Sequence, residues 1–426
     1  MPRATALGFL LVSACAPPVG VNASVAAPSS EVSRPPVSDA ASSSVAVRAP
    51  LLELVESIPA GAVVDDPSVP NTDVVWRSML SGARKSVAFG HFFVAEKPSE
   101  LPGVDRLSPV IDELLAAKTR GVEVRFIVDL SFLKKAPTSI DRLRSLGVDV
   151  RAIDTTGTLG GVHHAKYLVV DEEDVYVGSA NFDWRSLEHI HELGLHLRSR
   201  KVAATLLSVF DADWAAAGGA GSSTRGAGPS SEFEAFGDAR VQTLLSPKDH
   251  LPKGATWDLD RLVESIDSAR REIRVQLLSY ETIDRDGAKF EVLDAALRRA
   301  AVRGVKVHLL LSHWQKGGKK LEAARRLAET PGIDVRFVTI PEASGGFIPF
   351  ARVIHAKYLV VDEALCWVGT SNWSGDYFFH GRNLGFIVES ARLATELARI
   401  FDSLATGPFA EAVDPARVYE APRIAN

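Results

Sequence analysis

Apolar and polar positions follow the same pattern in two stretches of the chain, 110–128 and 292–311. An amphipathic segment with helical spacing ends at an Arg-Gly pair, and a stretch of mainly apolar residues follows. Gly121 and Gly304, the glycines of these pairs, can adopt the left-handed conformation that ends a helix. Each stretch therefore predicts a helix followed by a buried strand.

The repetition extends to neighbouring segments. Residues 76–94 parallel residues 262–280, and residues 143–151 parallel residues 327–336. Helices that alternate with apolar strands in both copies predict an α/β fold. We expect two homologous α/β sandwich halves, each with a mixed sheet, related by a pseudo-two-fold axis.

One segment repeats without any change. The nine residues 164–172 occur again as 355–363, and each copy reads H-x-K-x4-D. A small polar turn follows at the same distance, at 178–181 in the first copy and 369–372 in the second. An identical repeat of this length indicates two homologous halves. Side chains two apart on a strand share a face, so each histidine should point the same way as its lysine.

These residue types suit chemistry at phosphorus. A neutral imidazole is a nucleophile, a protonated imidazole donates to a leaving oxygen, and a lysine ammonium neutralises a phosphate oxygen. Two such sets across the pseudo-two-fold axis would form one active site that stabilises a pentacoordinate phosphorane, with no metal ion or cofactor required. The candidate residues are His164, Lys166, Asn181 and Ser179 in the first copy and His355, Lys357, Asn372 and Thr370 in the second.

Asp171 and Asp362 complete the two motifs and are also candidate catalytic residues. Each lies five residues past its lysine, on the opposite face of an ideal strand. Two placements stay open at this point. The carboxylates either cap the end of the strand or reach across to the histidine of the other half.

The duplicated motif resembles that of the phospholipase D superfamily, with its trailing Gly-Ser/Thr turn. The stretches 178–187, 192–194 and 369–378 are most similar to the endolysosomal phospholipase-D-like proteins of animals, and the resemblance runs from about residue 51 to the C-terminus. It implies a 5′-exonuclease of single-stranded nucleic acid, and lipid phosphodiester or transfer activity is also attributed to that subgroup. Resemblance of fold does not select among these substrates.

The two halves differ at one position after the turn. The first half has Glu192, and the second has Asn383 at the equivalent place. The resemblance implies that a carboxylate here bonds a catalytic histidine. Because Glu192 belongs to the first half, we predict that it supports His164 as the nucleophile, which leaves His355 as the general acid.

Composition sets bounds on the partners. The chain has 426 residues, of which 46% are hydrophobic, and a formal net charge of −5. Proteins that coat duplex DNA are usually basic, so any nucleic-acid contact should be local to a channel. Aromatic residues follow both turns. Packing is the favoured interpretation for them, whereas stacking on bases or receiving an acyl chain are alternatives. They are Phe182, Trp184, Trp373, Tyr377, Phe378 and Phe379.

The N-terminus has the features of an export signal. A short apolar run follows Arg3, and Val12–Cys15 fits a bacterial lipobox, which predicts a lipid-anchored protein of the cell envelope with the lipid on Cys15. The alternatives are an ordinary signal peptide, in which Cys15 has no role, and a weak segment that is not cleaved. Residues 16–50 are rich in Ala, Ser and Pro and predict a flexible tether. Cys366 is then the one remaining cysteine, predicted to be buried.

The domain boundaries follow from these patterns. We predict a signal peptide at 1–15, the tether at 16–50, a first half at 51–216, a Gly/Ser linker at 217–231 and a second half at 232–426. The leading functional hypothesis is a metal-independent phosphodiesterase that cleaves single-stranded nucleic acid from its 5′ end. The alternative is a phospholipase D or transphosphatidylase acting on glycerophospholipids. A catalytically silent binding protein is a third hypothesis, which the two intact motifs disfavour.

Overall fold

The computed structural model describes residues 51–62, 66–99, 101, 103–133, 137–219 and 229–425. The predicted signal peptide, Cys15 and the tether lie outside these residues. So does much of the predicted linker, and the boundaries of the halves remain predictions. Within the described part of the chain, no helix combines the length and the apolar character needed to cross a membrane.

The first half contributes nine strands and six helices to the described chain. The strands are β1 (Leu52–Ser57), β2 (Ser86–Gly90), β3 (Val94–Ala95), β4 (Glu123–Asp129), β5 (Asp149–Ile153), β6 (Tyr167–Val170), β7 (Asp174–Gly178), β8 (Phe182–Asp183) and β9 (Ile190–Arg198). The helices are α1 (Thr72–Gly82), α2 (Leu107–Thr119), α3 (Leu130–Leu133), α4 (Pro137–Ser145), α5 (Trp184–Glu188) and α6 (Arg200–Ala216).

The second half contributes eleven strands and five helices to the described chain. The strands are β10 (Glu234–Phe236), β11 (Ala239–Ser246), β12 (Thr256–Trp257), β13 (Glu272–Leu277), β14 (Lys306–Ser312), β15 (Ile333–Val338), β16 (Val353–Ile354), β17 (Tyr358–Val361), β18 (Leu365–Gly369), β19 (Asn383–Glu389) and β20 (Ala410–Ala412). The helices are α7 (Asp258–Ser268), α8 (Val292–Val302), α9 (Gly318–Ala328), α10 (Gly375–Phe379) and α11 (Ala391–Thr406), with short 3₁₀ turns at Lys248–His250 and His313–Gln315.

The two large sheets have the same topology. The first runs β1-β9-β7-β6-β2-β4-β5, and the second contains β19-β18-β17-β13-β14-β15 in the equivalent order. In each sheet the last three strands of that order are parallel and the others antiparallel. Parallel neighbours need a crossover, which α2 and α8 provide. The predicted α/β class with two mixed sheets is confirmed.

The helix ends agree with the predicted pattern. Helices α2 and α8 stop just before an Arg-Gly pair, and the glycines have φ angles of +88° at Gly121 and +86° at Gly304. Side chains with a Cβ are disfavoured in this conformation, so glycine releases the chain into β4 and β14.

The repeated strands β6 and β17 are apolar on both faces because each lies between two apolar layers. Tyr167 and Val169 face a central cluster, and the alternating Leu168 and Val170 face an outer one. The central cluster holds residues of both sheets together with α6 and α11, so the two halves share one core. This shared core brings the motif-bearing ends of β6 and β17 to the boundary between the halves.

Candidate active site

The histidine and lysine of each motif lie immediately before the strand, in extended chain rather than within it. The side chains of Lys166 and Lys357 are fully buried, and His164 and His355 retain only slight exposure. Each lysine Nζ donates to the carbonyl oxygen of the histidine two residues earlier, at 2.5 Å in both copies. This hydrogen bond keeps the ammonium group and the imidazole of one motif on the same side of the chain.

The backbone of each histidine is held by the opposite half. The N–H of His164 donates to the carbonyl of Arg382 at 2.9 Å, and the N–H of His355 donates to the carbonyl of His191 at 2.8 Å. Strand β16, which leads into His355, pairs with β9 of the first half. Arg382 also makes a two-pronged ion pair with Asp213 of α6. The two motifs therefore meet in one site.

The side-chain partners of the histidines are exchanged between the halves as well. His355 Nδ1 lies 2.7 Å from Glu192 Oε2, whereas His164 Nδ1 lies 3.1 Å from Asn383 Oδ1. The prediction that Glu192 supports His164 is therefore wrong. Residue 192 lies on β9, which pairs across the boundary with β16 and so reaches the histidine that follows β16.

The hydrogen bonds of Asn383 determine the tautomer of His164. The amide Nδ2 donates to the carbonyl of Tyr377 at 2.9 Å, which turns Oδ1 toward His164 and toward the Thr370 hydroxyl. An amide oxygen only accepts, so Nδ1 of His164 must carry the proton. The lone pair of His164 is then on Nε2, the nitrogen left for substrate.

The protonation of the two imidazoles differs because their partners differ. Burial lowers the pKa of His355 to about 4, an effect that the carboxylate of Glu192 opposes. Burial and the two lysines hold the pKa of His164 well below its usual value, and only the Asn383 hydrogen bond raises it. Of the two histidines, His355 is the one with a carboxylate partner that favours its charged form, which a general acid needs.

Two buried lysines and the buried carboxylate of Glu192 set the charge of the site. Burial lowers the pKa of Lys357 to about 7, and burial together with Lys357 holds the pKa of Lys166 well below its usual value. Burial would raise the pKa of Glu192, but His355 and Lys357 bring it below its usual value. Glu192 and the buried Asp129 favour the charged form of Lys166, and an anionic phosphodiester would favour the charged form of both lysines further.

The turn residues divide into two groups. The hydroxyl of Ser179 donates to the Leu193 carbonyl, and the hydroxyl of Thr370 donates to Asn383 Oδ1. These hydroxyl protons are engaged by protein, so the two residues orient their neighbours rather than donate to phosphate. Asn372 Oδ1 accepts the Ser279 N–H at 3.3 Å, whereas Asn181 Oδ1 is buried without a hydrogen-bond partner.

The motif aspartates are not at the reaction centre. Asp171 accepts the backbone N–H groups of residues 84–86, and Asp362 accepts those of residues 270–272, at distances of 2.7 to 3.0 Å. Both have a φ of +52° and begin the tight turn after their strand, a conformation that Asp tolerates better than most residues. Both aspartates therefore cap the backbone at the end of the strand, and the prediction that they are catalytic residues is wrong.

Aromatic packing is confirmed for the core members of the predicted set. Phe182, Trp184, Trp373 and Phe378 are buried, whereas Phe379 is 39% exposed. Tyr377 is partly exposed and meets the His164 ring edge-on, with centroids 4.9 Å apart. Phe92 contacts the same ring at 5.1 Å. The sequence pattern missed Phe92 because it lies past the end of β2, outside both motifs.

Metal ligands are not grouped in the described part of the chain. No cluster of three or more His, Cys, Asp or Glu side chains is placed there to hold an ion. Cys366, the cysteine within the described residues, is buried, as predicted.

A duplicated fold with one shared His-Lys site defines a phosphodiesterase of the phospholipase D type. The family model described as cardiolipin synthase, PLD-like domain, matches residues 77–214 and 262–405. The chain therefore belongs to the phospholipase D superfamily. It is 32% identical over 382 residues to the human 5′-3′ exonuclease PLD3, covering 82% of this chain and 78% of that relative. It is 30% identical over 392 residues to phospholipase D Z of Dictyostelium discoideum, covering 84% and 90%.

Solved structures support the fold alone. The phosphatidylserine synthase of Haemophilus influenzae Rd KW20 matches with a TM-score of 0.58 at 11% identity, covering 82% of this chain and 87% of that one. The polyphosphate kinase of Porphyromonas gingivalis matches with a TM-score of 0.53 at 13% identity, covering 86% of this chain and 49% of that one.

Replacing the side chain that contacts each histidine should move one limb of the pH–rate profile and leave the other in place. Glu192→Gln removes the group that raises the pKa of His355, so the alkaline limb should move to lower pH and kcat at pH 7 should fall on the order of tenfold to a hundredfold. Asn383→Asp should raise the pKa of His164 and move the acid limb to higher pH. Profiles in which both variants shift the same limb would contradict these assignments.

Asp362→Ala should cost stability and leave the chemistry intact. Three backbone N–H groups lose their acceptor, and we expect a loss of roughly 1–2 kcal/mol in the free energy of unfolding, reduced by partial exposure of the turn. Urea denaturation measures this, and kcat per folded enzyme should stay within about twofold. A large fall in kcat at unchanged stability would return Asp362 to the reaction.

Proposed function

We propose that this protein is a metal-independent exonuclease that removes nucleotides from the 5′ end of single-stranded nucleic acid through a phosphohistidine. The observation that carries the mechanism is the exchange of partners, which gives one histidine a carboxylate and the other an amide. The choice of nucleic acid is supported by the similarity to relatives named 5′-3′ exonuclease.

The first chemical step uses His164 as the nucleophile. Its Nε2 lone pair forms a bond to phosphorus while the bond from phosphorus to the leaving oxygen breaks. That oxygen takes the proton from Nε2 of His355, whose cation is stabilised by Glu192 until the proton leaves. Lys166 and Lys357 face the phosphoryl oxygens, where charge develops in the transition state.

The second step returns the enzyme to its starting state. Neutral His355 accepts a proton from water, the water oxygen bonds to phosphorus, and the bond between His164 and phosphorus breaks. The leaving oxygen of the first step is taken to be the 5′-oxygen of the shortened strand. That strand then ends in a 5′-hydroxyl, as the original did, and the released product is a nucleoside 3′-monophosphate.

His164 is the proposed nucleophile, as the sequence predicted, but the reason differs. Its partner is a neutral amide, so it stays unprotonated and its Nε2 lone pair is available. Glu192 serves the acid instead. The residues required for the reaction are the same under either assignment, so the pH–rate profiles and a trapping experiment are needed to separate the two.

A phospholipase D or transphosphatidylase activity is the alternative. The relative from Dictyostelium named phospholipase D Z supports it, at nearly the same identity as the exonuclease. Its chemistry at phosphorus would be identical, and only the leaving alcohol and the retained group would differ. A silent binding protein is disfavoured because both histidines and both lysines are in contact with groups that orient them.

Export and lipid anchoring are part of the proposal and rest on the sequence alone. Cys15 in Val12–Cys15 is the proposed lipid-bearing residue, and the Ala/Ser/Pro tether 16–50 would hold the enzyme off the membrane of the cell envelope.

The exonuclease activity can be tested with single-stranded oligonucleotides that carry a bulky block at one end. A 5′ block should abolish digestion and a 3′ block should not, and circular single strands should survive. EDTA should leave the rate unchanged because the lysines supply the cationic charge. A His164→Ala, His355→Ala double variant controls for contaminating nuclease. Choline release from phosphatidylcholine without any oligonucleotide digestion would favour the lipid alternative.

The nucleophile can be identified by trapping. With His355→Ala, a nucleoside 3′-(p-nitrophenyl phosphate) should still transfer its nucleotidyl group to His164, because p-nitrophenolate leaves without an acid. Peptide mapping locates the modified histidine. The matched His164→Ala variant should accumulate no adduct, and an adduct on His355 in that variant would reverse the two roles.

Lipid attachment depends on the thiol of residue 15. Cys15→Ser should move the protein from the membrane fraction to a soluble or unprocessed form in a bacterial host. Fractionation and mass spectrometry of the N-terminus measure this outcome. Unchanged fractionation of the variant would support an ordinary signal peptide.

A further inference from the structure

Three phenylalanine rings form a cluster on the first half, next to His164. This aromatic cluster consists of Phe92, Phe93 and Phe132. The Phe92 and Phe132 centroids are 4.0 Å apart, and the rings of Phe93 and Phe132 stack at 5.5 Å with an interplanar angle of 18°. All three are partly exposed, whereas Phe89 and Phe126 of the neighbouring strands are fully buried.

The aromatic cluster begins at the reacting groups. The Phe92 ring meets His164 edge-on with centroids 5.1 Å apart, and Nζ of Lys166 lies 5.0 Å from the Phe92 centroid. The phosphate that the lysines hold and the nucleophile that attacks it are therefore both next to this aromatic surface.

The repeat does not reproduce the cluster. Gly90 pairs with Tyr167 in the same register in which Gln276 pairs with Tyr358. The residues that match Phe92 and Phe93 are therefore Leu278 and Ser279. Leu278 is apolar but has no ring, and Ser279 is polar, so these two positions carry aromatic rings only on the His164 side.

The geometry of the displacement determines which part of the substrate lies near His164. In a displacement at phosphorus the nucleophile and the leaving oxygen are on opposite sides. The shortened strand therefore leaves near His355, and the nucleotide that stays attached after the first step is carried by His164. Its base must lie within one nucleotide's length of that ring.

We propose that the aromatic cluster is a stacking platform for the base of the 5′-terminal nucleotide, which His164 carries as the covalent intermediate. This inference rests on the proposed exonuclease function and specifies how the terminal residue is held. Every base has a flat face, so stacking would hold the terminal nucleotide without selecting its identity.

A base fits the surroundings of the cluster better than an acyl chain does. A long chain requires a continuous apolar groove. Next to Phe132, however, Ser131 is exposed and donates to Asp129, and Lys166 lies on the other side. A short aromatic surface bounded by polar groups matches a nucleobase linked to a phosphate.

The test pairs changes in the enzyme with changes in the substrate. Phe93→Leu and Phe132→Leu, singly and together, remove rings of the cluster and leave in place Phe92, the ring that contacts His164. Each enzyme is given oligonucleotides that end at the 5′ side in a normal nucleotide or in an abasic tetrahydrofuran residue. Wild-type kcat/KM should favour the normal end by about tenfold, and the double variant should lose most of this preference. The rate on the abasic end should be equal in both enzymes, which controls for folding and chemistry.

Phe379→Leu is the matched control, because this ring is exposed on the second half and packs against Trp257. It should keep the wild-type preference. If wild type digests both oligonucleotides equally well, or if the double variant keeps the full preference, the platform is refuted and the exonuclease stands. If wild type digests neither, both proposals fail. A double variant that loses only phosphatidylcholine hydrolysis would overturn the inference in favour of an acyl chain.

Discussion

The bond between His355 and Glu192 joins the two halves at the point where chemistry occurs. Both groups are buried, and their atoms are 2.7 Å apart. A buried carboxylate is costly unless it is paired, so Glu192 requires His355 and the lysine beside it. The imidazole in turn requires the carboxylate to keep a proton in a site that otherwise disfavours cations. The same contact therefore holds the two halves together at the site and favours the protonated form of the general acid.

The asymmetry of the site is confined to few residues within a duplicated frame. The sheets, the lysines and the backbone bonds to the histidines correspond in the two halves, and the difference is concentrated in Glu192 against Asn383. A carboxylate and an amide have nearly the same shape but differ by a full charge. The fold could therefore keep its symmetry while the two imidazoles acquired different proton affinities. The aromatic cluster around Phe92 is a second difference between the halves, because the equivalent positions of the second half, Leu278 and Ser279, have no rings.

The sequence predicted what depends on local pattern. Helix ends at Gly121 and Gly304, the buried strands and the paired motifs all follow from periodicity and from residues close in the chain. The partner of Glu192 did not, because a strand pattern indicates which face a side chain uses but not which strand lies beside it. Pairing of β9 with β16 crosses the boundary between the halves. Asp171 likewise resembled a catalytic carboxylate until its backbone partners were located.

The exchange of backbone bonds between the halves also has a consequence for biosynthesis. The carbonyl of Arg382 anchors His164, and Asn383 sets its tautomer, yet both are translated more than two hundred residues later. A nascent chain that has completed only its first half therefore lacks the carbonyl and the amide that hold His164. The ribosome must finish most of the second half before the two imidazoles can meet. Until then, the site does not exist.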